Sequence, residues 1–518
     1  MKEVFNVPMM ILGFIFAIAF ALTEVFRPDG GSGFNFILLL IGICLFAALV
    51  LINNRLINSR NVGRILKIND SSFGIGCFLI YAMIGFLTQI IYFPATLSND
   101  TIVMIRGGMG VSGQHPWMYI ALLRGLEKIV KFFGGADNEV FIILAVFQVV
   151  AVSFSYSVCV TWLKRKGLHK IPLLIICAFF ALCPILNLYM VTLIKDVPFA
   201  IGSLLIIPVM YELWESKGQK LCEKTFIAKL CICSVLFFFR SNGAIICVLM
   251  ALYLMISYKK YWKKVALYAL FIALLLVMTK AVQTVSHAPY KFREAVGIPI
   301  QQIAATVCND GRINEEQYAF IDKMLPVEEI KKNYDPYNVD PIKYGEIELD
   351  SEFLNANRLQ FIKVWGELLL NNFGIYVDAY LRTTYGFWSF SNNTLKMRYT
   401  YIGAFADQKM YYDWMESERI VPKSVLPSDL QSFIENIYSS SSYFFGAGVM
   451  AWAILLLVAT LVRKQGWGIF IVGLPAVLCW ITLLISTPIA FQWRYALSFA
   501  YSLPILYGIA MLSNGKRK

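Results

Sequence analysis

The chain has 518 residues, of which 58% are hydrophobic and only 15% charged, with a formal charge of +13 at pH 7. A soluble domain carries about a quarter charged residues, and several apolar runs here reach the ~18–20 residues that cross a ~30 Å hydrocarbon core. The composition therefore excludes an ordinary soluble protein and points to an all-α polytopic membrane protein; the positive charge implies no nucleic-acid partner, because it gathers in short loops between apolar runs.

Spans are predicted near 8–26, 34–52, 73–93, 139–162, 171–189, 197–214, 225–239, 243–258, 264–284, 441–462, 467–486 and 495–512, twelve in all. The first is long enough to cross and lacks a small-residue cleavage site, so it reads as a span and not as a signal peptide. Alternate connections are basic: Arg55/Arg60/Arg64/Lys67, Lys164/Arg165/Lys166/Lys170, Lys217/Lys220/Lys224/Lys229, Lys259/Lys260/Lys263/Lys264, Arg463/Lys464 and Lys516–Lys518. The positive-inside rule puts these in the cytoplasm, with both termini, and an even number of spans agrees. The connections 27–33, 94–138, 190–196, 240–242, 285–440 and 487–494 then face outward. Ten of the 11 cysteines lie in or beside apolar runs and Cys308 alone falls in a polar region; their spacing forms neither a disulfide framework nor a metal site.

The outward loop 94–138 is polar and glycine-rich. Asp100 sits in it just past a span, and two readings stay open: a helix cap or a catalytic carboxylate. His115-Pro116-Trp117 starts an expected helix in which Arg124, Glu127, Lys128 and Lys131 share one face and Ile120, Leu123, Leu126, Val130 and Phe133 lie largely opposite. That pattern suits a helix on the membrane surface. Lys195-Asp196 opens the span at 197, where Asp196 reads as a cap or as a second acidic site. Arg240 follows Phe237-Phe238-Phe239, and Arg494 lies between Trp493 and Tyr495. Arginine on an aromatic rim serves as an interfacial anchor or as a bidentate phosphate donor.

The loop 285–440 is the exception to short connections. It holds 15 Lys+Arg and 21 Asp+Glu, a net charge of −6, and is long enough for a small domain. Residues 351–381 are expected to be helical, with Phe353, Leu359, Phe361, Ile362, Trp365, Leu368 and Leu369 at helical spacing. The aromatic run 381–402 is expected at the lipid–water interface.

Asp100 on the first outer loop of a large bundle, an amphipathic helix after it, and Asp196 on the next outer loop resemble the GT-C superfamily of membrane glycosyltransferases. Ser98-Asn99-Asp100, His115-Pro116, Lys195-Asp196, Arg240-Ser241-Asn242-Gly243, Gln301-Gln302 and Trp493-Arg494-Tyr495 look like an uncharacterised bacterial branch of it. The resemblance covers about 73–510. It implies a GT-C-like bundle in which 1–72 is a two-helix addition, 73–284 a seven-helix module, 285–440 an inserted extracytoplasmic domain and 441–518 a three-helix segment.

It further implies a polyprenyl-phosphate-linked sugar as donor and a cell-envelope glycan or lipid as acceptor, in a bacterial cell membrane, with an extracytoplasmic active site. Asp100 becomes the candidate base, with Asp196 and His115 beside it. Arg240, Arg494 and Lys195 become candidates for the donor phosphate. Asn99, Asn242, Gln301, Gln302, Trp493 and Tyr495 become candidates for positioning substrate. A divalent cation is compatible with this chemistry, but no ligand spacing requires one. Two features depart from the family: Asn99-Asp100 stands where a pair of carboxylates is usual, and the outer domain precedes the last three spans.

A polysaccharide polymerase or ligase, with a pyrophosphate-linked donor, is mechanistically close. A transporter or flippase of a lipid-linked or anionic solute is the competing class. Transporters place ionisable residues mid-span and often carry inverted repeats; here the notable charges sit at span ends, without a repeat.

Overall fold

A computed structural model describes residues 6–58, 65–98, 100, 101, 104, 115–135, 137–287, 292–390, 427–441, 446–487, 489, 490 and 493–512. Asn99, Arg60, Arg64, the aromatic run beyond 390 and Lys516–Lys518 lie outside the described residues.

The apolar runs form helices: α1 (Val7–Val25), α2 (Phe36–Asn58), α3 (Asp70–Ile91), α4 (Trp117–Phe132), α5 (Asp137–Arg165), α6 (Lys170–Leu182), α7 (Pro184–Val191), α8 (Asp196–Glu215), α9 (Lys224–Phe237), α10 (Ser241–Ser257) and α11 (Trp262–Val285). Among the described residues eight helices are long and apolar enough to cross a membrane, or nine if α6 and α7 make one bent span. α2 exposes Phe36, Ile37 and Leu40, and α11 exposes Leu267, Leu270, Leu274 and Val277. Such continuous apolar faces suit lipid and not water. The chain is an all-α membrane protein.

Helices stand at all twelve expected positions, but three are short. α9 has 14 residues and α10 has 17. The last helix of the chain, Leu497–Met511, has 15. At 1.5 Å per residue these reach about 21–26 Å, less than a ~30 Å core. The expected span at 171–189 is broken at Cys183, where α6 and α7 meet at 51°. Pro184 at the start of α7 lacks the N–H that would continue α6. Asn187 Nδ2 donates to the Ala181 carbonyl at 3.0 Å and satisfies one of the freed groups.

α8 is apolar nearly all round and packs against α5, α9 and the final helices, so it is the bundle's centre. α1 and α2 pack on each other and on the C-terminal helices. Asn53 donates to Thr460 at 3.0 Å, and Arg463 to Asn54 at 2.8 Å.

A second hydrophobic core lies between α11 and the last helices in sequence. It is built from α12 (Gly297–Cys308), α13 (Glu315–Met324), α14 (Val327–Asn333), α15 (Asp340–Lys343), α16 (Ser351–Ala356), α17 (Arg358–Asn371) and α18 (Phe373–Thr383). Ile303, Ile321, Ile330, Leu354, Phe361, Val364 and Leu368 fill it. Asn314 and Gln317 form a reciprocal capping box at α13. The expected helix at 351–381 is three helices, broken at Asn357 and Asn372. Phe361 and Leu368 are core, whereas Leu359 and Ile362 are exposed.

The aromatic expectation is corrected for the described part of the run, up to 390. Tyr385, Phe387 and Trp388 are buried in the bundle core and face protein, not lipid or water. Tyr385 OH donates to the Thr23 carbonyl at 2.8 Å, and Trp452 and Trp480 donate to the carbonyls of Trp388 and Phe387, each at 2.8 Å. Aromatic rings with one polar atom serve a dry core and a wet boundary equally well once that atom is paired.

Ala447–Gln465, Phe470–Ser486 and Leu497–Met511, here α20, α21 and α22, close the bundle; α19 (Ser428–Ser441) precedes them.

Candidate functional site

A two-residue parallel pairing assembles the site. Strand β1 (Thr96–Leu97) follows α3, and β2 (Thr192–Leu193) follows α7; Thr96 pairs with Thr192 and Leu97 with Leu193. Thr101 Oγ1 donates to the Leu193 carbonyl at 2.6 Å, and Gln148 Nε2 donates to the carbonyls of Tyr189, Met190 and Thr192 at 2.9–3.1 Å. The pairing fixes Asp100, three residues past β1, beside Lys195, two residues past β2.

Thr101 N–H donates to Ser98 Oγ at 3.2 Å, so Ser98 caps the turn that carries Asp100. Asp100 Oδ2 lies 2.8 Å from Lys195 Nζ and 2.9 Å from Arg494 Nη1. Burial alone would raise its carboxyl, but Arg494 and Lys195 outweigh it and hold the group well below the usual carboxylate range. For Arg494 burial works against the charge, and Asp100 more than restores it.

Lys195 Nζ is 3.2 Å from His115 Nδ1. An ammonium only donates, so Nδ1 accepts and the ring proton belongs on Nε2. His115 is buried, and burial followed by the Lys195 charge lowers its pKa to about 4. It is a neutral imidazole at pH 7.

Asp196 is 1% exposed and ion-paired with Arg240. Lys195, not Asp196, is the N-cap residue of α8. Asp196 does not line the cavity described below; it holds Arg240 from behind. The Arg240 guanidinium lies over the Tyr495 ring at 4.4 Å and the Phe199 ring at 5.5 Å, and Arg240 Nε donates to Asn242 Oδ1 at 3.2 Å. Asn242 in turn donates to Thr482 at 3.0 Å. The tight turn requires Gly243: a Cβ there would meet the Phe237 carbonyl oxygen at 1.8 Å.

These groups line one cavity of about 450 Å³. Asp100, His115, Lys195, Arg240, Asn242, Arg494 and Tyr495 all reach it, with Ile245, Leu483 and Ile485 as apolar neighbours. Besides Asp196, three expected residues do not. Gln301 donates to the Asp335 carbonyl at 2.5 Å. Gln302 donates to the Tyr376 carbonyl at 3.1 Å and accepts from Trp365 at 2.8 Å. Both are supports of the second core. Trp493 is buried and stacks on Tyr189 at 5.5 Å.

The second core adds residues that sequence reasoning missed. Glu294, Asp340, Lys343 and Tyr344 line the same cavity. Lys343 Nζ lies 3.0 Å from Glu294 Oε2 and 3.3 Å from Asp340 Oδ1, and Tyr344 OH donates to Glu294 Oε1. Burial would raise the Glu294 carboxyl, but Lys343 and Tyr344 bring it below its ordinary value; burial pushes Asp340 up. Their only sequence signal was membership of a polar stretch rich in acidic residues.

Among the described residues no group of three or more His, Cys, Asp or Glu side chains could hold a metal ion. The cavity instead offers three clustered cations with aromatic backing at the end of apolar helices, the chemistry of an anion site.

No curated protein and no solved structure matches the chain. A family model matches residues 110–518, which include His115, Lys195, Arg240, the second core and Arg494. The chain belongs to that family, DUF6020, a family of unknown function.

Proposed function

We propose that the protein is an integral-membrane glycosyltransferase of GT-C type. It transfers a sugar from a polyprenyl-phosphate donor to a cell-envelope acceptor at the outer face of a bacterial membrane. The observation that carries this reading is the convergence of Lys195, Arg240 and Arg494 with the carboxylate of Asp100 in one cavity. Ile245 and Ile485 border that cavity and are 55% and 66% exposed, on helices whose other exposed faces are apolar. A prenyl tail stays in lipid while its phosphate reaches the cations.

Orientation is supported by α3. Its first residue, Asp70, is ion-paired with Lys164 and Arg165, and its far end leads to Asp100. Twenty-two residues make about 33 Å of helix, close to the thickness of a hydrocarbon core. The basic loop and the cavity thus lie at opposite ends of the bundle. With basic loops inside, the cavity faces outward, both termini are cytoplasmic and the second core is an extracytoplasmic insertion. The three short helices complete twelve spans where the bilayer is locally thinned or the helix ends are protein-covered.

The chemistry is an inverting displacement. The acceptor oxygen forms a bond to the anomeric carbon as the bond from that carbon to the phosphate oxygen breaks, its electron pair leaving with the phosphate. Lys195, Arg240 and Arg494 stabilise the charge that grows there. The donor phosphate competes with Asp100 for Lys195 and Arg494; once freed, the Asp100 carboxylate takes the acceptor proton.

The test is consumption of a polyprenyl-phosphate hexose by the purified protein, with a crude envelope fraction as acceptor. Turnover that falls at least ~100-fold in Asp100→Asn, the range for losing a general base, supports the reading. Absence of turnover in the parent, together with movement of the lipid across reconstituted vesicles, overturns it in favour of a transporter.

A further inference from the structure

The cavity has two chemically different sides. The bundle contributes three cations, Lys195, Arg240 and Arg494, against the lining carboxylate of Asp100. The second core contributes two carboxylates, Glu294 and Asp340, against the single lysine Lys343. An anionic head group settles on the bundle side by charge alone. The second-core side repels it and is left for a different ligand.

The hydrogen bonds within that side show which atoms are committed. Glu294 is 18% exposed at its side chain, and both of its oxygens are used, one by Tyr344 and one by Lys343. Lys343 is 2% exposed and held between Glu294 and Asp340. Arg293 packs over the Tyr344 ring at 4.4 Å and fixes that side chain in turn. Asp340 is the accessible member, 34% exposed, with Lys343 on Oδ1. It begins α15, so its backbone is anchored. A buried, pre-braced set of acceptors with one accessible carboxylate is suited to bind hydroxyl donors, because no side chain has to be ordered when the ligand arrives.

We propose that Glu294, Asp340, Lys343 and Tyr344 form the acceptor subsite of this cavity, with Asp340 receiving a hydrogen bond from a hydroxyl of an uncharged, polyhydroxylated acceptor. The proposal rests on the transferase reading. Asp340 is a positioning residue: it orients the acceptor, and Asp100 takes the proton. Burial raises the Asp340 carboxyl from its ordinary value, against the Lys343 charge, and a donated hydroxyl bond favours the ionised form again. The excess of carboxylate over lysine also selects against phosphorylated or otherwise anionic acceptors.

The experiment uses full-length protein in detergent, a polyprenyl-phosphate hexose as donor and a crude envelope glycan fraction as acceptor, with donor hydrolysis by water followed in parallel. Asp340→Asn is chosen because Asp340 is more exposed than Glu294 or Lys343 and its removal leaves the Glu294–Lys343 pair intact. The expected result is a rise of about ten- to a hundredfold in the KM for the glycan fraction, the factor carried by a hydrogen bond to a charged group. Donor KM, polyprenyl-monophosphate binding and hydrolysis stay within about twofold, and Asp340→Glu recovers part of the loss. Unchanged acceptor KM, or donor affinity that falls with it, overturns the subsite while leaving the transferase intact. Transfer that improves when the acceptor is a cationic amine instead of a neutral glycan overturns the assigned ligand class. A parent that transfers to no acceptor overturns the transferase and the subsite together.

Discussion

Asp100 and Arg494 are 394 residues apart in sequence and 2.9 Å apart in space, and Lys195 shares the same carboxylate oxygen at 2.8 Å. One anion therefore occupies two of the cations that the proposed donor phosphate needs. This competition gives a prediction that a simple base does not. Asp100→Asn should bind polyprenyl monophosphate more tightly than the parent, by about tenfold for each ~1.4 kcal/mol of pairing removed, while losing transfer. Equilibrium binding of the labelled lipid to the two proteins checks it. Equal or weaker binding by the variant would show that the carboxylate does not compete with the phosphate.

The second pair, Asp196 with Arg240, is more deeply buried. Removing one partner leaves an uncompensated buried charge, a loss of about 3–5 kcal/mol, whereas replacing both with apolar residues is often near neutral. Asp196→Leu should therefore melt well below the parent, and Asp196→Leu with Arg240→Met should regain most of the difference. The double variant should still lose lipid-phosphate binding, because Arg240 is one of the three cations. Thermal unfolding in detergent and lipid binding, measured on the same samples, separate the two effects. A double variant no more stable than the single one sinks the account of this pair.

Gly243 tests how Arg240 is placed. Its Cβ position is occupied by the Phe237 carbonyl oxygen at 1.8 Å, and a backbone atom has no rotamer through which to withdraw. Gly243→Ala must push α10 away from the end of α9, and overpacking of this kind is destabilising by about 1–3 kcal/mol. Arg240 sits in the turn between them, so lipid-phosphate binding should weaken along with the melting temperature. An alanine variant that matches the parent in both would mean the turn has more room than its geometry implies.

Much of the architecture was legible because apolar runs and basic loops are local features. Helices appear where the hydropathy pattern puts them. The turn at Arg240 between α9 and α10 was readable from its polar residues, whereas the break at Cys183 was not, since α6 and α7 meet there inside one apolar run. The site was legible residue by residue but not as an arrangement. Asp100, His115, Lys195, Arg240 and Arg494 stood out as polar residues beside apolar runs. That Asp100 lies beside Lys195 depends on a two-residue strand pairing that leaves no periodic trace, and the pairs Asp100–Arg494 and Asp196–Arg240 join segments that are distant in sequence. Gln301-Gln302 misled for the opposite reason: a polar pair beside apolar residues reads as functional, yet here it satisfies backbone carbonyls. Glu294 and Asp340 were hidden among the many acidic residues of their stretch.

His115 makes the fold itself pH-dependent in a definite window. Its pKa is lowered from 6.5 to about 4, first by burial and then by the Lys195 ammonium 3.2 Å away. A lowered histidine binds its proton in the unfolded chain before it does so in the folded one. Between pH ~6.5 and ~4 the unfolded state therefore holds more protons, and stability falls as the pH falls. The full loss is of the order of 3 kcal/mol, complete once both states are protonated. Asp100 also loses its stabilising charge on acidification, but only lower, since its carboxyl is held well below the usual range. The melting temperature in detergent should thus drop between pH 7 and 4.5 in the parent. His115→Gln, which keeps an acceptor for Lys195 and does not titrate, should flatten that slope. A variant with the same slope as the parent would place the acid sensitivity elsewhere in the chain.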